Sequence, residues 1–182
     1  MTLNEYIENM EWIYVNARWE AYYELVIVPF LKICCTQHAK VVPIHATRKS
    51  GRKSSREHFI EKYSYLNSDG KRCGIPDYVI VPEDSTYEKP KSAIVVIEFK
   101  APSGVKNNYV SIGIERYLDE LKSQSNICDY IIFTDGITWF FGHKEEENLV
   151  WESKTFYLFN DDWNELKEKI AKFIDYAYKQ EK

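Results

Sequence analysis

The stretch GIPDYVIVPEDSTYEKPKSAIVVIEFKAP, residues 74–102, decides how the rest of the chain is interpreted. It holds two runs of β-branched and aliphatic residues, DYVIV at 77–81 and AIVVIEF at 93–99. Such short apolar runs, bounded by turn-forming residues, are typical of buried strands. The polar loop between them, residues 82–91, predicts that the two strands form an antiparallel hairpin.

The register of this hairpin would bring three ionisable side chains together. With the turn centred near residues 87–88, Asp77 lies opposite Glu98, because both are about ten residues from the centre. Glu98 and Lys100 are two residues apart and leave the strand on one face, whereas Phe99 points to the other. Two carboxylates in a partly buried site repel each other unless a cation joins them, and Mg²⁺ accepts oxygen ligands. A lysine beside that cation can hold a water for attack or steady a phosphate, which is chemistry typical of phosphodiester hydrolysis.

A purely structural explanation of the same residues is also open. Asp77 could cap the start of its strand after Pro76, and Glu98 could form a surface ion pair with Lys100 worth about 0–1 kcal/mol. This explanation accounts poorly for Glu98, which follows five consecutive apolar or small residues.

The remaining sequence predicts one mixed α/β domain over residues 1–182. Two further strands, at 130–134 and 138–141, flank the turn Asp135-Gly136. Pro29 is expected to kink or divide the first helix. Helical patterns cover about residues 5–35, 56–66, 109–124 and 161–180.

These motifs resemble those of the PD-(D/E)xK nuclease superfamily. The matching residues of the hairpin are Pro76-Asp77 and then Glu98-Phe99-Lys100 after a strand of Ile and Val. Thr134-Asp135-Gly136 followed by Trp139 is similar to the strand-turn-strand in the N-terminal nuclease domains of type I restriction enzyme R subunits. The segment ELVIVPFLK, residues 24–32, is similar to a Leu-Ile-x-Pro-x-Leu segment of that group. The resemblance implies an α/β, restriction-endonuclease-like fold, in which helices flank a mixed β-sheet core.

The resemblance also implies a catalytic site. Asp77 and Glu98 would bind Mg²⁺ or Mn²⁺, and the backbone carbonyl of Phe99 would be a further ligand. Lys100 would position the attacking water.

Two helices carry further candidate site residues. A glutamate on the first helix often supplies another metal ligand in this superfamily, and we prefer Glu20 because its distance from Pro29 fits the pattern. Glu24, one turn away on the same face, is the alternative. The related group often adds a Gln and a Tyr on the helix after the hairpin. Tyr117 fits, but no Gln stands four residues before it, and Gln124 is a weak substitute.

The charge distribution points to a segment that could bind phosphates. Residues 40–72 hold nine basic and three acidic residues, a net charge of +6, whereas the whole chain carries −4 and the remainder therefore −10. A mobile basic loop on an acidic body could follow a nucleic-acid backbone, although a solvated loop without a partner is equally compatible with the charges. The predicted nucleic-acid-binding residues lie between positions 48 and 56: Arg48, Lys49, Arg52, Lys53 and Arg56.

Composition excludes several classes of protein. With 45% apolar and 15% aromatic residues the chain can bury a substantial core, so wholesale disorder is excluded. It has no apolar run near the roughly 18 residues of a membrane span and no secretory signal, so we expect an intracellular protein, cytoplasmic or nuclear if eukaryotic. The cysteines form no CxxC pair, which argues against a disulfide framework or a zinc site. They are Cys34, Cys35, Cys73 and Cys128.

The sequence therefore predicts a metal-dependent endonuclease that hydrolyses phosphodiester bonds in DNA, with DNA preferred over RNA by the resemblance alone. A homodimer would supply the two sites that are needed to cut both strands. The main alternative is a non-catalytic nucleic-acid- or protein-binding module that retains the nuclease fold. A structural protein of a mobile element or virus is a second alternative. Tyr63 and Tyr109 are candidates for stacking on bases, although packing is the default explanation for the aromatic residues.

Overall fold

The chain folds into a mixed sheet that carries helices on both faces. The computed structural model describes residues 1–17, 20–44, 62–66, 68–86, 88–159 and 163–180, and the side chains of a few of these residues, Glu20 among them, are not described. The α-helices found there are α1 (Leu3–Asn16), α2 (Glu20–Cys34), α3 (Leu118–Gln124) and α4 (Trp163–Gln180). The strands are β1 (Ala39–Pro43), β2 (Tyr65–Leu66), β3 (Arg72–Cys73), β4 (Tyr78–Pro82), β5 (Val95–Phe99), β6 (Tyr130–Thr134), β7 (Thr138–Glu145), β8 (Asn148–Trp151) and β9 (Phe156–Tyr157).

The main sheet has seven strands in the order β1-β4-β5-β6-β7-β8, and β9 also pairs with β7. Every pair in it is antiparallel except β5 and β6, which run parallel. Because β5 and β6 are parallel, the residues that follow both strands lie at one edge of the sheet. β2 and β3 form a separate two-stranded sheet.

Alternate residues of β4 face opposite layers of the molecule. Tyr78 and Ile80 join the apolar cluster that contains the buried residues of α1, α2 and α4, whereas Val79 and Val81 pack with Leu121 of α3 on the other face. A strand that is covered on both faces needs apolar side chains at nearly every position, which explains the unbroken apolar runs in the sequence. A charged residue within such a strand is therefore exceptional.

The first helical segment divides at a different place from the one predicted. α1 begins at a capping box, in which the backbone amide of Glu5 donates to the hydroxyl of Thr2 over 3.2 Å. It ends at Asn16, and α2 then continues through Pro29 to Cys34. Of the two predicted effects of Pro29, a kink or a division, the division is therefore wrong. Pro29 lies on the exposed side of α2, where solvent can satisfy the carbonyl that a proline leaves without a donor.

Two other predicted helices are only partly correct. The segment 56–66 ends in strand β2 rather than in a helix, and residues 56–61 lie outside the described part of the chain. The segment 109–124 is α-helical only in α3, and the turn before it is the 3₁₀ helix Ile114–Tyr117. The final helix is α4, and its predicted apolar face is buried. None of the helices in the described ranges is both long enough and apolar enough to cross a lipid bilayer.

Candidate active site

Asp77 and Glu98 lie at one end of the β4–β5 hairpin. The last register pair of the two strands is Tyr78 with Ile97, so the next residues in the same register are Asp77 and Glu98. The backbone amide of Phe99 donates a hydrogen bond of 2.8 Å to Oδ2 of Asp77. The predicted register is confirmed, and the hydrogen bond fixes the Asp77 carboxylate against the end of β5.

Glu98 is almost fully buried, with 2% of its surface exposed. Its Oε1 accepts a hydrogen bond from the ammonium of Lys100, and its Oε2 accepts one from the side-chain amide of Gln124. Phe99 points to the other face of the sheet, where its ring centre lies 5.4 Å from that of Tyr23 in α2. The expectation that Glu98 and Lys100 share one face is thus confirmed.

This site is bordered by three residues on one face of the Ile114–Tyr117 turn and α3. They are Tyr117, Glu120 and Gln124. Nζ of Lys100 lies 3.2 Å from Oε2 of Glu120 and 5.4 Å from the centre of the Tyr117 ring. Gln124 is fully buried, and its Oε1 has no hydrogen-bond partner among the described residues. Sequence reasoning missed Glu120 and gave Gln124 little weight. The helical spacing of Tyr117, Glu120 and Gln124 was the signal that could have identified them as one surface.

The charges around Glu98 change its ionisation. Burial and the neighbouring charge of Asp77 raise the pKa of Glu98 to about 8, and Lys100 only partly offsets them. Burial by itself would lower the pKa of Lys100, but the carboxylates of Glu98 and Glu120 outweigh it and hold that pKa above its ordinary value. Lys100 therefore stays protonated at neutral pH, and Glu98 keeps its proton to a higher pH than an ordinary glutamate does.

The raised pKa of Glu98 predicts how stability depends on pH. Above about pH 4.5 the unfolded chain has released this proton and the folded chain still binds it, so the free energy of unfolding should fall as the pH rises from about 4.5 to about 8. Glu98→Gln should remove this component, which is on the order of a few kcal/mol. Urea unfolding of both proteins at about pH 5 and pH 8.5 tests it. If the two proteins lose equal stability over that interval, Glu98 is ionised throughout and the prediction is wrong.

A buried hydrogen-bonded turn fixes the edge of the sheet beside Lys100. The side chain of Asp135 accepts hydrogen bonds from the backbone amides of Ile137 (3.0 Å) and Thr138 (2.7 Å) and from the hydroxyl of Tyr109 (2.7 Å). Burial raises the pKa of Asp135 above its ordinary value. The carbonyl of Thr134 accepts a hydrogen bond of 3.0 Å from the amide of Lys100. The turn thereby fixes the backbone from which Lys100 extends.

Both tyrosines considered for base stacking are packed against the protein. Tyr63 is 1% exposed, and its hydroxyl donates to the carbonyl of Lys91. The ring of Tyr109 stacks on that of Tyr157, with centres 5.4 Å apart. Packing, the default explanation, is the correct one for this pair.

The two glutamates predicted as helix ligands belong to the first two turns of α2. The contact between Tyr23 and Phe99 places the first turn of α2 beside the end of β5. Glu20 is the first residue of α2, but its side chain is outside the described part of the structure. Glu24 is half-buried in the following turn. The choice between them stays a prediction.

The predicted nucleic-acid-binding residues lie outside the described ranges. They are Arg48, Lys49, Arg52, Lys53 and Arg56. The described ends of this segment are Ile44, directly after β1, and Lys62.

The oxygen donors at the end of the hairpin fit a hard divalent cation. Asp77, Glu98 and the carbonyl of Phe99 offer oxygen only, and a buried carboxyl with a raised pKa gains from a nearby positive charge. Among the side chains that the structure describes, no three His, Cys, Asp or Glu groups are close enough together to hold a metal ion.

Comparison with known proteins shows that the fold of this chain is similar to that of a solved structure. No protein-family model and no curated protein matches it. A solved structure, the cryo-EM structure of a DrdV–DNA complex, matches with a TM-score of 0.57 and 11% identity. The match covers 96% of this chain but only 13% of the DrdV chain. At this identity the likeness shows the fold alone, and it confirms the predicted α/β, restriction-endonuclease-like class.

Proposed function

We propose that this chain is a metal-dependent endonuclease that hydrolyses phosphodiester bonds in DNA. The observation that carries the proposal is the meeting of the Asp77 and Glu98 carboxylates with the Lys100 ammonium at the end of one hairpin. Support also comes from the likeness to a protein whose structure was determined with DNA bound. The resemblance of the hairpin residues to the PD-(D/E)xK motifs gives the same reaction.

The proposed cofactor is Mg²⁺, or Mn²⁺ in its place. Asp77, Glu98 and the Phe99 carbonyl would hold it, and Glu20 would add a fourth oxygen ligand, with Glu24 as the alternative. When bound, the cation supplies Lewis-acid stabilisation of the negative charge that develops on the phosphate.

The protein residues hold this site in position before any ligand arrives. The Phe99 amide orients the Asp77 carboxylate, and the Gln124 amide donates to Oε2 of Glu98, whereas Lys100 donates to Oε1. Lys100 is protonated, so its ammonium can donate a hydrogen bond to the attacking water and attract a phosphate oxygen. Because the Phe99 and Gln124 amides fix the two carboxylates, these need little reorganisation during the reaction.

DNA is the proposed partner, held through its backbone. The net charge of +6 over residues 40–72 supports phosphate contacts from that segment. Cutting both strands requires two sites, so we propose a homodimer for duplex cleavage.

The alternative function is a non-catalytic binding module with the same fold. The direct hydrogen bond from Lys100 to Glu98 favours it, because each group has the other as a partner without a metal. Such a module would bind DNA with an affinity that falls steeply as salt is added, and it would leave the DNA intact.

Cleavage of labelled DNA distinguishes the two functions. Single-stranded, duplex and branched DNA would be incubated with the protein in Mg²⁺, Mn²⁺ or EDTA, beside the variant Lys100→Ala. We expect cleavage that needs the metal and falls about 10²- to 10³-fold in the variant, the loss typical of removing one transition-state donor. If wild type and variant both bind all three DNAs and cut none, the binding module is the better account.

A further inference from the structure

We propose that Glu120 is a positioning residue, which holds the ammonium of Lys100 in the site when Glu98 no longer attracts it. The inference rests on the proposed nuclease function, to which it adds a residue outside the hairpin motifs. It is carried by the surface that Tyr117, Glu120 and Gln124 present to the site.

The geometry gives Lys100 two carboxylate partners with different surroundings. Both carboxylate oxygens of Glu120 lie close to Nζ of Lys100, at 3.2 Å and 3.3 Å. The Glu120 side chain is 42% exposed, whereas that of Glu98 is 3% exposed. Lys100 thus bridges a buried carboxylate and one near the surface, where a DNA backbone would arrive.

Glu98 cannot hold Lys100 during the proposed reaction. A divalent cation beside Glu98 would take up its negative charge and repel the ammonium. Lysine has a long, flexible side chain, so without another partner Lys100 would gain many conformations that point to solvent. Glu120 and the face of Tyr117 keep the ammonium within the site under those conditions.

The ion pair between Lys100 and Glu120 is also weak enough for Lys100 to take another partner. A partly exposed ion pair contributes little to stability, since water screens it. An arriving phosphate oxygen can therefore share the ammonium with Glu120. Glu120 acts by positioning Lys100. Its replacement should therefore lower the rate of the chemical step more than the stability of the fold.

Cleavage kinetics test this role against a matched control. Asp119 is exposed and adjacent to Glu120 on α3, so Asp119→Asn removes the same charge from the same helix. We expect Glu120→Gln to lower kcat about 10- to 100-fold with little change in KM, the scale of a displaced catalytic group, and Glu120→Asp to recover part of the loss. Asp119→Asn should leave kcat within about twofold, since it alters only the general field near the DNA. Equal kcat values in the two charge-removing variants, or a faster Glu120→Gln enzyme, would overturn the inference.

A second measurement does not depend on activity. The ¹⁵N NMR signal of an ordered lysine ammonium, assigned by its loss in Lys100→Ala, reports whether Lys100 is held. Glu98→Gln removes the charge of Glu98 as a bound cation would, and in that variant we expect the signal to persist. It should disappear when Glu120→Gln is added. If it persists in the double variant, Glu120 does not hold Lys100, whereas an inactive wild type with the expected signals would reject only the nuclease function.

Discussion

Replacing Asp77 with asparagine should abolish metal-dependent DNA cleavage, with a fall in rate of at least about 10³-fold, while the fold stays intact. The asparagine side chain would keep a carbonyl oxygen to accept the hydrogen bond that the Phe99 amide now donates to Oδ2 of Asp77. It would lose the negative charge that a divalent cation requires. The substitution therefore separates the chemical role of Asp77 from its structural role.

The same variant should change the ionisation of its neighbour. The charge of Asp77 is one of the causes that raise the pKa of Glu98, so its removal should lower that pKa toward the ordinary value. The thermal midpoint should stay within a few degrees of wild type, because the backbone contact is conserved. Cleavage assays and thermal unfolding of the same preparation test the loss of activity and the unchanged thermal midpoint.

Asp84→Asn is the matched control for this substitution. Asp84 lies at the opposite end of the same hairpin, exposed to solvent and paired with Lys91. Its replacement removes the same charge from the same hairpin, so cleavage should remain within about twofold of wild type. If Asp77→Asn retains activity, or if both variants lose it equally, Asp77 is not a metal ligand and the proposed mechanism fails.

The hairpin could be predicted from the sequence because its constraints are local. Two apolar runs and one polar loop leave a single register in which the apolar residues pair, and that register places Asp77 beside Glu98. The turn Asp135-Gly136 was predictable for the same reason, since its flanking strands pair directly with each other. The chemistry of the hairpin end followed from these short-range facts together with the resemblance.

The contribution of α3 could not be predicted, because it depends on how a helix docks. Glu120 and Gln124 are an ordinary i, i+4 pair in the sequence, and the packing of Leu121 against the sheet turns Glu120 toward Lys100 and Gln124 toward Glu98. The continuation of α2 through Pro29 has a similar origin. Core contacts on the buried side of the helix outweigh the local cost of a proline on its exposed side.

Substitution of Gly136 by alanine should lower the free energy of unfolding by about 2–5 kcal/mol, which for a chain of this size is a fall of roughly 5–15 °C in Tm. Gly136 has φ of +85°, a region that costs other residues about 1–2 kcal/mol. A Cβ atom there would also lie 2.5 Å from Cε of Met10 and 3.0 Å from the hydroxyl oxygen of Tyr6. The overlap arises because α1 packs directly on the turn, where Tyr6 donates a hydrogen bond of 2.8 Å to the Gly136 carbonyl.

Gly70→Ala separates these two contributions. Gly70 also has positive φ, +72°, but a Cβ there would have no atom within 4 Å, so this variant should lose only the backbone component of about 1–2 kcal/mol. Met10→Leu removes the terminal methyl that the new Cβ of Gly136→Ala would strike, so the double variant should be more stable than the sum of the single effects predicts. Urea unfolding of the wild type and the four variants measures each component, and equal losses in Gly136→Ala and Gly70→Ala would show that α1 does not pack on this turn. Because the turn follows Thr134, whose carbonyl holds the Lys100 amide, a Gly136→Ala protein that still folds should also cleave DNA more slowly than the Gly70→Ala protein.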